Sequence, residues 1–243
     1  MGRDGAATVG AAAGGPRERI CTLEGMALLY DAVLRPSKTE IVSAWAPTQP
    51  WFSGENLEVT RVASFRFDDP DGAVGIETLL VRAGTGPLLQ IPLTYRGAPL
   101  AGSEAWLIGT MTHSALGDRW VYDGTGDPAY LLAVATAART GGSHAEQFID
   151  HGGVPVPVDS SASVRGSGRA GTAVPAVTAP SSASDDAQVS VVTAGSVTVT
   201  VLRVLGASTS PATTGAATLS GTWPGQAEPL LLVTVEPGVD GIH

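Results

Sequence analysis

Residues 57–96 read LEVTRVASFRFDDPDGAVGIETLLVRAGTGPLLQIPLTYR and contain the central strand signals of this chain. Apolar and polar side chains alternate over 57–67, which is typical of a half-buried strand. The apolar face of that strand is predicted to carry Leu57, Val59, Ala63, Phe65 and Phe67. A polar turn follows at 68–72, and the apolar run at 74–83 returns. The stretch 57–83 therefore predicts a β-hairpin.

A third strand is predicted over 88–96, after a Gly- and Pro-containing turn at 84–87. Leu89, Ile91, Leu93 and Tyr95 alternate with more polar residues along it. Because proline has no N–H to donate to a β-ladder, Pro92 predicts that this strand lies at an edge or is bulged there. Two further strands are predicted over 105–113 and 119–123.

Two helices are indicated by their start signals. Ser37 and Glu40 have the spacing of a capping box, which predicts a helix from about residue 38 to residue 46. Asp127 followed by Pro128 is a capping aspartate with proline at the first helical position. This pair predicts a second helix over 128–140, which Gly141 would end.

Changes in composition divide the chain into four parts. Residues 1–25 are rich in Gly and Ala and are predicted to be disordered, whereas 26–150 hold the hairpin and both helices. Residues 151–187 are rich in Ser, Ala, Gly and Pro, which predicts a flexible linker. Strands within 188–243 are expected to complete the first sheet or pack on it. The expected fold is α+β, a mostly antiparallel sheet with about two helices and a long disordered linker before the C-terminal strands.

Charge and composition argue against several partners and locations. The formal net charge is -9 with no concentration of Lys or Arg, so binding to nucleic acid or to an acidic membrane surface is not expected. No apolar run has the length of a signal-peptide core or of a membrane span. The single cysteine, Cys21, allows no disulfide within the chain, as in proteins of reducing compartments. We therefore expect a cytoplasmic protein.

Catalytic motifs are missing from these 243 residues. Phosphoryl transfer needs a positioning Asp, magnesium ligands and a cation on the phosphates. Neither a His-Gly-Asp-type catalytic loop nor G-x-x-x-x-G-K-[ST] occurs, and Lys38 is the only lysine. The four histidines are scattered, and there is no G-x-S-x-G. We therefore expect no metal, no cofactor and no catalytic residue.

Six residues form the candidate binding or docking surface: Trp51, Phe52, Gln90, Thr94, Arg96 and Asp123. The two aromatic residues lie in a proline-rich loop, where they either plug the core or form a docking patch or sugar-stacking platform. The three strand residues share one face, which either binds a ligand or partner or meets water. The aspartate follows two aromatic residues and belongs either to a polar recognition site or to a turn.

The aromatic loop also carries a family resemblance. Residues 45–54, WAPTQPWFSG, resemble the W-L-P-x-Q-R-W-F-x-G-K opening of maltokinases and related actinobacterial sugar kinases. Residues 90–96, QIPLTYR, are similar to the family's Q-V-P-L-x-Y-R strand, and the resemblance covers about 26–140. Pro50 and Glu55 stand where the family has Arg and Lys, so two positive charges of the family pattern are missing.

The resemblance implies a cap domain described as cystatin-like, which precedes the kinase core in maltokinases. Those enzymes transfer phosphate from ATP to maltose for α-glucan synthesis from trehalose, and their catalytic groups lie in that later core. We therefore expect a non-catalytic accessory or regulatory protein of this metabolism, with a sugar-kinase core or an α-glucan enzyme as a possible partner. Two alternatives stay open: part of a split ATP-dependent sugar kinase, and a sugar-binding module.

Overall fold

The computed structural model describes residues 27–29, 33–54, 58–151, 154–207 and 215–238. The predicted disordered segment 1–25 lies outside the described residues. The described residues form two α-helices, α1 Lys38–Trp45 and α2 Pro128–Thr140. In chain order their strands are β1 Ala27–Leu29, β2 Leu34–Arg35, β3 Val59–Phe67, β4 Gly75–Ala83, β5 Leu88–Arg96, β6 Leu107–His113, β7 Gly117–Asp123, β8 Gln147–His151, β9 Val154–Val158, β10 Ser163–Gly166, β11 Pro180–Asp185, β12 Val189–Ala194, β13 Val197–Leu202, β14 Val204–Leu205, β15 Ala217–Trp223 and β16 Gln226–Pro237.

The first sheet is antiparallel and curls into a half-barrel, and the fold is α+β as predicted. Its strand order is β2-β6-β7-β5-β4-β3, and β14 also pairs with β5. The predicted hairpin is β3 and β4, and the third predicted strand is β5. A separate small sheet has the order β1-β8-β9.

A β-bulge in β3 changes which face its side chains occupy. Arg61 lies opposite Val81, but Ala63 lies opposite Leu80, so Val62 is an extra residue. Val59 therefore packs in the core under α1, whereas Ala63 and the two phenylalanines of β3 pack on the other side of the sheet. The prediction of one continuous apolar face was wrong, because a bulge inverts the alternation beyond it.

Strand β5 lies in the interior of the sheet, so the edge placement predicted from Pro92 was wrong. Its register with β4 is continuous, and its other flank is shared by β14, which pairs with Leu88 and Leu89, and by β7, which pairs from Leu93 onward. The Gln90 N–H donates to the Arg203 carbonyl on this shared flank at 2.8 Å. Alternation places the Pro92 nitrogen on the same flank, in the gap between β14 and β7, where the ladder needs no donor.

Both helices begin as their sequence signals predict. The Ser37 hydroxyl accepts from the Glu40 N–H at 3.3 Å, and the Ser37 N–H donates to the Glu40 carboxylate at 2.7 Å, which completes the capping box. The Asp127 carboxylate accepts from the Ala129 N–H at 2.9 Å at the start of α2. Gly141 ends α2 with a φ of 71°, a conformation that glycine adopts without a Cβ clash.

The second sheet is antiparallel, with the order β10-β15-β16-β13-β12-β11. Strands β9, β10 and β11 lie within residues 151–187, so the prediction of a flexible linker there was wrong. A Cβ added to Gly166 or Gly168 would come within 1.9 Å of an α2 carbonyl oxygen. The Gly168 N–H donates to the Ala138 carbonyl at 2.8 Å, which satisfies one of the free carbonyls at the end of α2. The small residues of this segment therefore permit close backbone packing.

Two apolar cores lie on opposite faces of the first sheet. The first core contains Ile41 and Val42 of α1, Trp51 and one face of the sheet. The second core contains the other face, α2 and the inner face of the second sheet. The C-terminal strands thus both extend the first sheet, through β14, and pack on it. Within the described ranges, no helix is long and apolar enough to cross a membrane.

Candidate functional site

The structure places most of the six candidate residues inside the molecule. Trp51, Gln90, Thr94 and Asp123 are buried, while Phe52 and Arg96 are partly exposed. Trp51 and Phe52 pack in the first core, and Trp51 lies edge-on to Trp45 with ring centroids 5.5 Å apart. The candidate residues therefore do not form one open surface. Ligand or partner binding by them stays a prediction.

Arg203, which belongs to no recognisable sequence motif, joins two parts of this set. Its side chain is fully buried between β13 and β14, with its guanidinium carbon 5.0 Å from the centroid of the Trp51 ring. Nη2 donates to the Asp123 carboxylate at 2.5 Å and to the Thr125 hydroxyl at 3.3 Å. Nε donates to the Ser190 hydroxyl at 2.6 Å. One arginine thus contacts the aromatic loop, the end of β7 and a strand of the second sheet.

The position of Arg203 explains how the gap beside Pro92 is filled. Arg203 immediately precedes β14, and Asp123 is the last residue of β7. These two strands occupy the same flank of β5 and are separated along it by the gap. The ion pair therefore links two strand ends that no backbone ladder joins. Taking both charges out of water is costly, and the added hydrogen bonds from Arg203 offset part of that cost.

Gln90 holds the second sheet against the first. Its amide nitrogen donates to the Leu202 carbonyl at 3.1 Å and to the Leu232 carbonyl at 2.9 Å. These two carbonyls belong to β13 and β16, which are neighbours in the second sheet. Both amide hydrogens of Gln90 are therefore used within the chain.

Thr94 and Arg96 hold the start of α2 through Asp127. The Thr94 hydroxyl donates to the Asp127 carboxylate at 2.7 Å, and Arg96 donates to both carboxylate oxygens at 2.7 Å each. The hydrogen bond with Asp127 raises the pKa of Arg96 above its ordinary value, although burial opposes it. The Asp127 carboxylate thus accepts hydrogen bonds both from side chains of β5 and from the backbone at the start of α2.

A second polar cluster lies on the α1 face of the sheet. Lys38 Nζ donates to the Glu77 carboxylate, and the Tyr95 hydroxyl donates to it at 3.1 Å. Burial acts to raise the pKa of Glu77, but the charges of Lys38 and Arg66 and these hydrogen bonds lower it overall. Burial and the negative charge of Glu77 raise the pKa of Tyr95 well above its ordinary value. The cluster is therefore an ionised carboxylate held by a cation and a neutral phenol.

The carboxylates at the predicted recognition site have partners within the protein. Asp123 and Asp127, the two carboxylates nearest the predicted recognition site, are both used by arginine, hydroxyl and backbone donors. The described residues contain no group of three or more His, Cys, Asp or Glu side chains that could hold a metal ion. These contacts join β7 to β14, the first sheet to the second sheet, and β5 to helix α2.

The fold and these contacts define an α+β protein built on a curled antiparallel sheet, covered by a helix on one face and by a helix and a second sheet on the other. Residues 45–127 match the family model of the maltokinase N-terminal cap domain. This stretch, from the last residue of α1 to the cap of α2, is therefore a region similar to that cap domain. Among curated proteins, no relative matches the chain.

Two residues that organise the structure were missed by motif reasoning. Arg203 and Glu77 are each an isolated charge within an apolar strand pattern, VTVLRVL and VGIETLLV. A charge at such a position must be paired when it is buried, so this pattern was the available signal. The identity of each partner, Asp123 and Lys38, depends on contacts between residues 80 and 39 positions apart.

Proposed function

We propose that this is a non-catalytic, cytoplasmic cap-like protein with an accessory or regulatory role in trehalose, maltose and α-glucan metabolism, acting through contacts with another protein. The observation that carries the proposal is that the chain covers both faces of its own cap sheet. Helix α1 covers one face, and α2 with the second sheet covers the other. The cap match is the support for a link to this metabolism, and the missing kinase motifs are the support for a non-catalytic role.

This coverage favours an accessory protein over one half of a split kinase. A half that awaits its core would keep a large apolar face open, as obligate interfaces do. The large apolar side chains that are exposed in the described residues come from six different segments: Val33, Val62, Leu107, Leu116, Leu132 and Val156. Single exposed apolar residues are ordinary on protein surfaces. These few positions do not provide the large apolar face of an obligate interface.

The burial of Trp51 argues against sugar stacking in the aromatic loop. Its side chain is 1% exposed, Trp45 lies edge-on to it, and the Arg203 guanidinium lies over its ring. A sugar ring needs a free aromatic face, and this one is in contact with protein. The sugar-binding alternative would require the loop to open.

The proposal is tested by incubating the purified protein with ATP, magnesium and a panel of sugars that includes maltose. We expect no phosphorylated sugar, while an active maltokinase under the same conditions supplies the positive control. Phosphorylated product that persists in a repurified sample would overturn the non-catalytic role. Activity that appears only when a kinase core is added in equal amount would establish the split-kinase alternative.

A parallel titration addresses the sugar-binding alternative. Tryptophan fluorescence is recorded while maltose, trehalose, glucosamine or ATP is added, because Trp45 and Trp51 would report any opening of the loop. We expect no saturable change with any of the four compounds. A saturable change with one sugar would replace the accessory role by sugar binding.

A further inference from the structure

A groove of about 520 Å³ lies on the α1 face of the first sheet, between the start of α1 and strand β3. It is lined by Leu34, Ser37, Lys38, Thr39, Arg61 and Leu79. Both charged residues of this lining are cations, although the chain as a whole has a formal net charge of -9. Lys38 is paired with Glu77, and Arg61 is the lining cation that has no ion pair among the described residues, so positive charge on this lining would attract an anion.

The bulge in β3 helps to place positive charge there. Register pairs Arg61 with Val81 and Arg66 with Glu77, so both arginines lie on the α1 face of the strand. Bulges are often found where a strand must redirect a side chain. Among the described residues, neither Arg61 nor Arg66 forms an ion pair. Their charges are therefore not neutralised by direct contact within the described part of the chain.

The carboxylates around the groove have other contacts. The Glu77 carboxylate lies beneath it and is held by Lys38 and Tyr95. Glu40 turns back onto the Ser37 N–H in the capping box. Asp68 acts on Arg66 electrostatically from the β3–β4 turn. None of these three residues belongs to the lining of the groove.

We propose that this groove binds the phosphate group of a small phosphorylated molecule, with Lys38 and Arg61 as the charged ligands and the Thr39 hydroxyl as a further donor. A tetrahedral dianion accepts hydrogen bonds from several directions and matches two cations that come from a helix and a strand. A planar carboxylate monoanion would use only part of this set. The first turn of α1 adds the favourable end of its helix dipole.

The experiment is a titration of isotope-labelled protein with inorganic phosphate at constant ionic strength and pH, followed by amide chemical shifts. We expect saturable shifts that are confined to residues 37–39 and the neighbourhood of Arg61. Arg61→Gln removes one charge-assisted contact and is expected to weaken phosphate binding about tenfold. Arg169→Gln changes the net charge equally at an exposed arginine in the turn after β10 and should leave the affinity unchanged.

Glu77→Gln provides a test with the opposite sign. Loss of the carboxylate frees Lys38 from its ion pair and removes a repulsive charge below the groove, so phosphate should bind several-fold more tightly. A variant that only loosened the fold would weaken binding instead. If the spectrum shows that Glu77→Gln is unfolded, Arg66→Gln takes its place and is expected to weaken binding less than Arg61→Gln.

Two results would overturn the proposal. One is a set of small shifts spread over the surface that does not saturate, and the other is an equal loss of affinity in Arg61→Gln and Arg169→Gln. A comparison of inorganic phosphate with glycerol phosphate then identifies the source of the group. Tighter binding of the ester supports a small phosphorylated molecule, because the groove exceeds the size of phosphate alone, whereas equal affinity assigns the site to free phosphate.

Discussion

Two ion pairs on the first sheet have similar chemistry but opposite surroundings. In the pair of Arg203 and Asp123, the side chains are 0% and 6% exposed, and protein surrounds both charges. In the pair of Lys38 and Glu77, the carboxylate is 4% exposed but the lysine is 23% exposed and borders a groove. The pair of Arg203 and Asp123, called the sealed pair below, can form only when β7 and β14 lie along the same flank of β5. The open pair leaves a cation within reach of solvent and of a ligand.

The energetic contribution of an ion pair depends more on whether both partners are buried than on the presence of the pair itself. Breaking a pair that is sealed on both sides strands a charge in the protein interior. Breaking a pair that is open on one side lets water solvate the remaining cation, so the loss is smaller. Variants of the two pairs, and of the amide contact beside the sealed one, turn this comparison into measurements.

The largest effect is expected from Arg203→Met. The substitution leaves the Asp123 carboxylate buried without its cation and removes the link between β7 and β14, so it should lower the free energy of unfolding by about 3–5 kcal/mol. Urea unfolding followed by tryptophan fluorescence measures the change. The double variant Arg203→Met with Asp123→Asn should recover part of the loss, because no charge remains buried. A loss below about 1 kcal/mol in the single variant would mean that the pair of Arg203 and Asp123 contributes no more than a surface ion pair.

A smaller effect is expected from Gln90→Leu, which lies at the same contact between the first and the second sheet. The substitution leaves the Leu202 and Leu232 carbonyls without their side-chain donor and should cost about 1–3 kcal/mol. Gln226→Leu is the matched control, because it removes a solvent-exposed amide-to-carbonyl hydrogen bond within β16. Unfolding free energies and amide exchange in β13 and β16 report the difference. Equal losses of unfolding free energy in the two variants would mean that the contact between the two sheets does not depend on Gln90.

The smallest effect, and the one that depends on pH, is expected from Glu77→Gln. At pH 7 it exchanges charge-assisted hydrogen bonds for neutral ones and should cost about 1 kcal/mol. Because the pKa of Glu77 is lowered in the folded protein, its carboxylate stabilises the fold above the unfolded value of about 4.3. That stabilisation is lost as the pH falls through the folded pKa. Urea unfolding at pH 7, 5 and 3 should therefore show the two proteins converging at low pH, whereas parallel curves would contradict the ion pair.

Local signals predicted the helices and the central strands well. The capping box at Ser37, the Asp127-Pro128 start and the alternation in 88–96 each specify a contact or a face within a few residues. Such short-range patterns act through the backbone of their own segment, so they survive in almost any tertiary setting. The cap resemblance also began in a local motif, and the family match over 45–127 supports it.

The predictions that were wrong share a different cause. The bulge at Val62, the interior position of β5 and the strands within 151–187 all depend on which distant segment lies alongside. Gly166 and Gly168 resemble linker residues in the sequence, yet the backbone of α2 requires their lack of a Cβ. The burial of the candidate site residues also depends on distant segments. Four of the six are buried, and the local sequence around each of them does not indicate which segment covers it.

An acidic chain with a cap-like region, two capped helices and a β-hairpin that starts an antiparallel sheet can be predicted from the amino-acid sequence alone. The three-dimensional fold was needed to show that β14 shares a flank of β5 with β7, that Arg203 bridges the gap between them, and that a groove with cationic lining lies beside α1. The physical reason is the range of the forces. Turns, caps and alternation act between near neighbours, whereas the pairing of buried charges and the sealing of a sheet face require segments that meet only when the whole chain has folded.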